Sequence, residues 1–367
     1  DTQGEYPAGS TFKPFTAYAA VTTGARDESA LWEDEGSHTI ENCNETEGAA
    51  GCVFRNAGDA VLGPVDLRRA IELSSDTYFY SLGEKFWVEQ ETFGQTAIQD
   101  SAARFGIGMP SGVQLPNENS GRLPTPENRK AEFGPDRRWF TGDNVNLSIV
   151  QGDLLVTPLQ LTNSYAVLAT GGVRHEPRLV SHVAVGGQGE DADEVLQEFR
   201  PRVASDEGLD PSALTPIIEG LLAVNRTGTA SDAFSGFPLD SYPIAGKTGT
   251  SQVLDKADYA LYAGFGPMPA PRYAVAAVLE EAGFGGDAAA PAVRRFFEVL
   301  AGRYPLPTAP LAGEPGTEMV RPELPSGGVS GEIGGTDASD GDAGADASDD
   351  DSDAPPATTA PTTIAPS

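Results

Sequence analysis

The sequence predicts an α+β fold, a small sheet flanked by helices. Two patterns lead there. Three strand-like runs lie close together at 244–253, 259–266 and 272–280, and Tyr259 to Phe265 and Tyr273 to Leu279 are apolar on both faces, as strands sandwiched between helices are. Helix-like runs occupy most of the rest, and the one near 290–302, carrying Val293, Phe296, Phe297, Val299 and Leu300, is placed to cover one face of the sheet. A third observation bounds the domain. After Pro305 large apolar residues nearly vanish and Pro, Gly, Ala, Thr and Asp dominate, so 306–367 is expected to be a disordered acidic tail beyond a single domain at 1–305.

From the N-terminal end, Gly9 allows a sharp turn into a helix that carries Ser10 and Lys13. Pro14 falls in its first turn, where a missing N–H costs little, and Gly24 is a natural stop. Residues three apart share a helix face, so the Ser10 hydroxyl and the Lys13 amine can meet as nucleophile and base. Lysine holds its proton well above neutral pH, so Lys13 must be depressed by burial and by a second ammonium such as Lys247. Leu67, Ala70, Ile71 and Leu73 have helical spacing, which Ser74-Ser75-Asp76-Thr77 interrupts. That break either caps the next helix or projects Ser74 into a cleft. Further helices are expected at 97–105, 158–170 and 211–224, the last opened by Asp210-Pro211-Ser212. Residues 116–146, rich in Pro, Asn, Arg and Gly, read as one long loop near the site, and 184–194 as a surface connection. The strand-like run around 244–253 contains Lys247-Thr248-Gly249-Thr250: a cation and two hydroxyl donors, suited to a terminal carboxylate, with Gly246 and Gly249 leaving room for a substrate backbone. The competing reading is an edge strand guarded by a lysine.

Serine-x-x-lysine, then Ser-x-Asp, then Lys-Thr-Gly, in this order, is the signature of penicillin-interacting serine acyltransferases. The chain resembles the transpeptidase domain of class B penicillin-binding proteins, specifically the elongation-type penicillin-binding protein 2 group, over roughly residues 5–304. Supporting matches are Tyr6-Pro7-Ala8-Gly9-Ser10, Phe105-Gly106-Ile107-Gly108, Gly112-Val113-Gln114-Leu115-Pro116, Ser148-Ile149-Val150-Gln151-Gly152, Val156-Thr157-Pro158-Leu159-Gln160-Leu161, Gly228-Thr229-Ala230 and Tyr262-Ala263-Gly264-Phe265. The resemblance implies the penicillin-binding, serine β-lactamase-like fold, with an antiparallel central sheet. It assigns Ser10 as the acylated nucleophile, Lys13 as general base and Ser74 as proton relay. Lys247, Thr248, Gly249 and Thr250 would bind the carboxylate, and the backbone N–H groups of Ser10 and Thr250 would form the oxyanion hole. Two positions depart from the pattern. Asp76 stands where Asn is usual and, as an acceptor, is suited to the Lys13 ammonium. Val150 replaces a common Gly, with an effect expected to be local packing.

The implied reaction is cross-linking of peptidoglycan stem peptides through a serine acyl-enzyme formed at D-Ala-D-Ala, in lateral wall elongation; β-lactams would acylate the same serine. No cofactor or metal is implied, and His38, His175 and His182 are scattered, with surface or loop roles expected. The alternatives are a D,D-carboxypeptidase or β-lactamase on the same scaffold, and a noncatalytic β-lactam sensor or polymerase scaffold. The expected partner is a SEDS-family glycan polymerase of the elongation machinery. Family members carry a membrane anchor and pedestal ahead of this domain, on the extracytoplasmic face of the bacterial membrane. With the nucleophile at position 10 the chain reads as a C-terminal fragment lacking those parts and the first two strands of the sheet, which predicts an unpaired strand edge and reduced stability.

Composition agrees. The formal charge is −30, of which −11 falls from Leu311 onward and −19 in residues 1–310. An acidic body argues against nucleic acid and against a polybasic membrane contact. The two cysteines, Cys43 and Cys52, flank an acidic, Gly-containing loop from Asn44 to Gly51 and are expected to pair in an oxidising compartment.

Overall fold

The computed structural model describes residues 2–41, 43, 51–186, 195–253 and 255–302; the expected tail at 306–367 and most of the 44–51 loop and of the 184–194 connection lie outside the described residues. In chain order, a 3₁₀ turn at Gly9–Phe12 leads into α1 (Lys13–Thr23). Next come β1 (Trp32–Asp34), β2 (Ser37–Thr39), β3 (Val53–Arg55) and β4 (Gly63–Val65). Helices α2 (Leu67–Leu73), α3 (Asp76–Val88), α4 (Gln90–Phe93), α5 (Ala97–Arg104), α6 (Pro126–Phe133), α7 (Thr141–Ile149) and α8 (Pro158–Thr170) follow. The short strands β5 (Val173–His175), β6 (His182–Ala184), β7 (Val195–Glu198) and β8 (Val203–Asp206) precede α9 (Pro211–Arg226). The chain then runs through β9 (Ala245–Ser251), β10 (Tyr259–Gly266) and β11 (Tyr273–Leu279) to α10 (Ala289–Leu300).

The principal sheet is antiparallel in the order β11-β10-β9, with Tyr262 opposite both Thr248 and Ala277. All of β10 is buried, so both sheet faces are covered; α8, α9 and α10 contact its strands. β11 and β9 are the outer strands, and each residue of β11 is half-buried. On α10, which contacts β11, Phe296 is 44% exposed. The remaining strands form two-stranded ribbons, β1-β4, β2-β3, β5-β8 and β6-β7, too short to show in the sequence pattern.

The stretch 116–146 is not one loop. It holds α6 and the start of α7, because Thr125 and Asn128 form a capping box around Pro126, and Asp143 accepts from the Phe140 N–H. Helix α7 buries Val145, Leu147 and Ile149 and packs along α3. Val150 ends α7 at φ 59°, in the left-handed region, while 2% exposed. The consequence of valine there is thus backbone strain as well as packing, since a β-branched side chain fits that region poorly. Cys43 and Cys52 are bonded, with Cα atoms 5.7 Å apart. His38 is not a surface residue: it sits on β2, and its Nε2 lies 2.6 Å from Glu84 Oε2.

Candidate active site

Ser10 lies in the 3₁₀ turn before α1, not within it, and Lys13 begins the helix by donating its backbone N–H to Ser10 O. The turn is pressed against β9. Gly9 has φ 53°, and a Cβ there would stand 2.9 Å from Thr250 O and 2.7 Å from Ser251 Oγ, so no larger residue fits. Ser251 Oγ donates to Pro7 O at 2.8 Å, and Tyr165 OH donates to Thr11 O at 2.8 Å. The first of these bonds joins two segments 244 residues apart in sequence, which share one wall of a cleft of about 780 Å³.

Lys13 is fully buried beneath that cleft. Its Nζ donates to Ser74 O at 2.7 Å, Ser74 Oγ at 3.0 Å and Asp76 Oδ1 at 2.6 Å, which occupies all three ammonium hydrogens. The Phe79 ring centroid lies 5.4 Å away. Among the described residues, Ser10 Oγ has no hydrogen-bond partner. The side-chain meeting that helical spacing allows is therefore not made here, because Ser74 and Asp76 hold the amine. Capping and projection are divided among neighbours. Asp66 caps α2 through the Arg69 N–H and Ser75 caps α3 through the Tyr78 N–H. Ser74, at φ 59°, terminates α2 and turns its hydroxyl toward Lys13.

On β9, Lys247 is fully buried and its Nζ donates to Thr248 O at 3.0 Å. The Thr248 and Thr229 hydroxyls are 2.6 Å apart, and Thr250 Oγ1 accepts from the Gly285 N–H at 3.3 Å. The glycines of this strand make room for the protein itself. A Cβ on Gly246 would fall 1.9 Å from the Tyr262 hydroxyl, and one on Gly249 would meet Thr11 and Ala8. Gly249 nevertheless also lines the cleft.

The two lysines divide the electrostatic load unequally. Burial lowers Lys13, opposed by the charge and hydrogen bond of Asp76 and by the charge of Asp34. Burial, and then the Lys13 ammonium, push Lys247 well below its usual range, with Asp76 opposing. Burial therefore lowers both amines, and the repulsion between them acts on Lys247, while Asp76 works against the loss of either proton.

Ser10, Ser74, Asp76, Thr248, Gly249 and Thr250 all line the cleft, with Lys13 and Lys247 behind it. The wall also includes Thr229, Asn146, Gln151 and Asn56; Thr229 and Gln151 sit in stretches matched by the resemblance, but no sequence pattern singled out Asn146, Asn56 or, behind the wall, Asp34. Among the described residues, no group of three or more His, Cys, Asp or Glu is placed to hold a metal, and no helix is long and apolar enough to cross a membrane.

The profile of the penicillin binding protein transpeptidase domain matches residues 1–298. A peptidoglycan D,D-transpeptidase MrdA of Acinetobacter baumannii is 31% identical over 357 residues, covering 89% of this chain and 48% of that protein. The chain spans about half the length of the curated relatives it matches. Among solved structures, penicillin-binding protein 2 of Pseudomonas aeruginosa in complex with WCK 5153 superposes with a TM-score of 0.65 at 29% identity, over 82% of this chain and 62% of that one. A ceftriaxone acyl-enzyme of penicillin-binding protein A from M. tuberculosis gives 0.63 at 25% identity, over 81% and 61%.

Proposed function

Because the chain belongs to the penicillin-binding protein transpeptidase-domain family, with penicillin-binding protein 2 and MrdA among its relatives, we propose that it is a serine D,D-transpeptidase of peptidoglycan. The observation that carries this reading is the Lys13 amine, shared between Ser74 Oγ and Asp76 behind a cleft that Ser10 and Thr248–Thr250 line. The catalytic unit is taken as residues 1–305, with 306–367 as an appended acidic tail.

In the proposed reaction, the terminal carboxylate of a D-Ala-D-Ala stem settles against Thr248, Thr250 and Lys247, with Gly249 keeping the strand close to the Ser10 turn. The arriving anion favours an ammonium on Lys247. Two adjacent ammonium groups repel, so Lys13, already lowered by burial, gives its proton up to solvent before the attack. Neutral Lys13 then accepts the Ser10 hydroxyl proton as Oγ bonds to the penultimate D-alanyl carbonyl carbon. The backbone N–H groups of Ser10 and Thr250 hold the oxyanion, a contribution on the order of 3 kcal/mol per donor. The tetrahedral intermediate collapses by breaking the C–N bond, and Ser74 passes a proton from Lys13 to the departing D-alanine amine. A second stem's amine displaces Ser10, which recovers its proton, and the cross-link is formed. A β-lactam enters the same path, but its leaving group stays tethered. The substrate and the Cys43–Cys52 bond both favour the extracytoplasmic face of a bacterial membrane, with a SEDS-family polymerase as the partner supplying glycan strands.

Intact-mass analysis after benzylpenicillin treatment tests the reading. Wild type is expected to gain one persistent penicillin adduct and Ser10→Ala none. Fast loss of the adduct would instead mark a β-lactamase. Release of D-alanine without cross-linked product, in the presence of an amine acceptor, would mark a carboxypeptidase.

A further inference from the structure

Behind Asp76 lies a buried polar assembly that the reaction as described does not use. Asp34, at the end of β1, is fully buried. Its Oδ1 accepts from the Gly36 N–H at 2.9 Å and from Asn56 Nδ2 at 2.7 Å, and its Oδ2 accepts from the Ser75 hydroxyl. Asn56, 6% exposed just after β3, completes its hydrogen-bonding capacity. Its Nδ2 also donates to Ala60 O at 2.8 Å, and its Oδ1 accepts the backbone N–H groups of Asp76 at 2.8 Å and Thr77 at 3.1 Å. The next residue, Ala57, donates its N–H to Asp76 Oδ2 at 3.2 Å, the oxygen that Lys13 does not use. The first turn of α3 is thus gripped at its backbone and at its carboxylate by one segment, and that segment is anchored on Asp34.

We propose that Asp34 and Asn56 are positioning residues for acyl transfer. They hold the Asp76 carboxylate against Lys13, and the buried anion of Asp34 faces the same amine. The inference rests on reading Lys13 as the general base. Burial alone raises a carboxyl group, but the bonds from Ser75, Asn56 and Gly36 outweigh it and hold Asp34 ionised. Lys13 then faces Asp76 from α3, Asp34 from β1 and Lys247 from β9. Tyr80, on α3 near Asp76, is raised by burial first and by Asp76 second, and stays neutral. A charge transmitted through a dry interior is felt more strongly than one across water.

The test is the pH profile of second-order acylation by benzylpenicillin, with thermal melts of each variant alongside. In Asp34→Asn one anion facing Lys13 is gone. The ammonium is less favoured, and the acid limb is expected to move to lower pH by roughly one unit. Asn56→Ser changes no charge but frees the Asp76 and Thr77 N–H groups. It is expected to slow acylation at the optimum by about ten- to a hundredfold through misplacement of Ser74 and Asp76, with the limb again moving down. A purely structural role would lower the melting temperature and the active fraction but leave the limb in place. That result in the folded variants overturns the inference, as does failure of both variants to fold. If wild type and Ser10→Ala alike resist penicillin, the acyltransferase reading itself fails, and this inference falls with it.

Discussion

Burial lowers the Lys13 amine, and the 2.6 Å bond from Asp76 opposes that lowering. Asp76→Asn removes that opposition. Lys13 should then lose its proton at lower pH, and penicillin acylation should persist at neutral pH with its acid limb moved down; a variant inert at every pH contradicts this account. Lys247 gives a stability test. Its folded pKa lies well below the ordinary 10.5, so between the two values the unfolded chain binds more protons than the folded one. Its contribution to stability therefore grows as pH rises through that window and is complete only above 10.5. Lys247→Met removes the cost of burying the amine. It should stabilise the fold by about 1–4 kcal/mol at neutral pH, lose that advantage as the solution becomes alkaline, and abolish acylation. Denaturant titrations at several pH values check it, and a pH-independent difference would refute it. The sequence named these residues because their chemistry is carried by residue type and spacing. It also named Asp76 as an acceptor for the Lys13 amine, but could not show that the amine turns to Ser74 rather than Ser10, because that depends on Ser74 adopting the left-handed region at the α2–α3 junction. For the same reason it could not show that Val150 is strained. Val150→Gly trades a strain of about 1–2 kcal/mol against a burial of about 1.5–3 kcal/mol, so it should cost far less than the same change at buried Val145 inside α7.

Elements with long apolar periodicity were legible at this scale. Helix α8, helix α9 and strands β9 to β11 fall within a residue or two of the sequence expectation; the helices and β10 bury continuous apolar faces, β9 is marked by its Lys-Thr-Gly motif, and β11 is an unbroken apolar run although only partly buried. Helix α6 was not, since it buries little besides Pro126 and is announced only by its capping box, which a Pro- and Arg-rich composition obscures. The three-residue ribbons left no periodic trace, yet one of them positions the site. The β2-β3 ribbon joins Asp34 to Asn56 with Ser37 opposite Arg55, and the Cys43–Cys52 bond closes its far end across a sequence separation of 9. Closing a loop of that length restrains the unfolded chain by about 2–3 kcal/mol. Cys52→Ser should lower unfolding free energy by that amount in urea titrations. Because Asn56 follows β3 directly, it should also slow penicillin acylation in protein that remains folded. Unchanged acylation would show that the ribbon's backbone bonds, Ile40 N–H to Cys52 O and Asn56 N–H to Gly36 O, hold the clamp unaided.

For the molecule as a whole, an apolar edge competes with a large like charge. Strand β11 ends the sheet with seven half-buried residues, and no described strand pairs with its outer side. Unpaired N–H and C=O groups along a flat apolar strand are a template for another chain, and nearby Phe296 adds exposed surface. Against this stands a formal charge of −30, which keeps copies apart. Salt decides the balance, because the screening length falls from about 10 Å at 0.1 M to about 3 Å at 1 M while the edge itself is unaffected. Sedimentation velocity should therefore show a monomer at low salt and growing self-association as salt rises. Phe296→Lys should weaken the association, because it places a charge beside the edge and removes apolar area. Association that instead weakens with salt would mean that complementary charges hold the copies together. The edge would then be sufficiently covered by α8 and α10, both of which already contact β11.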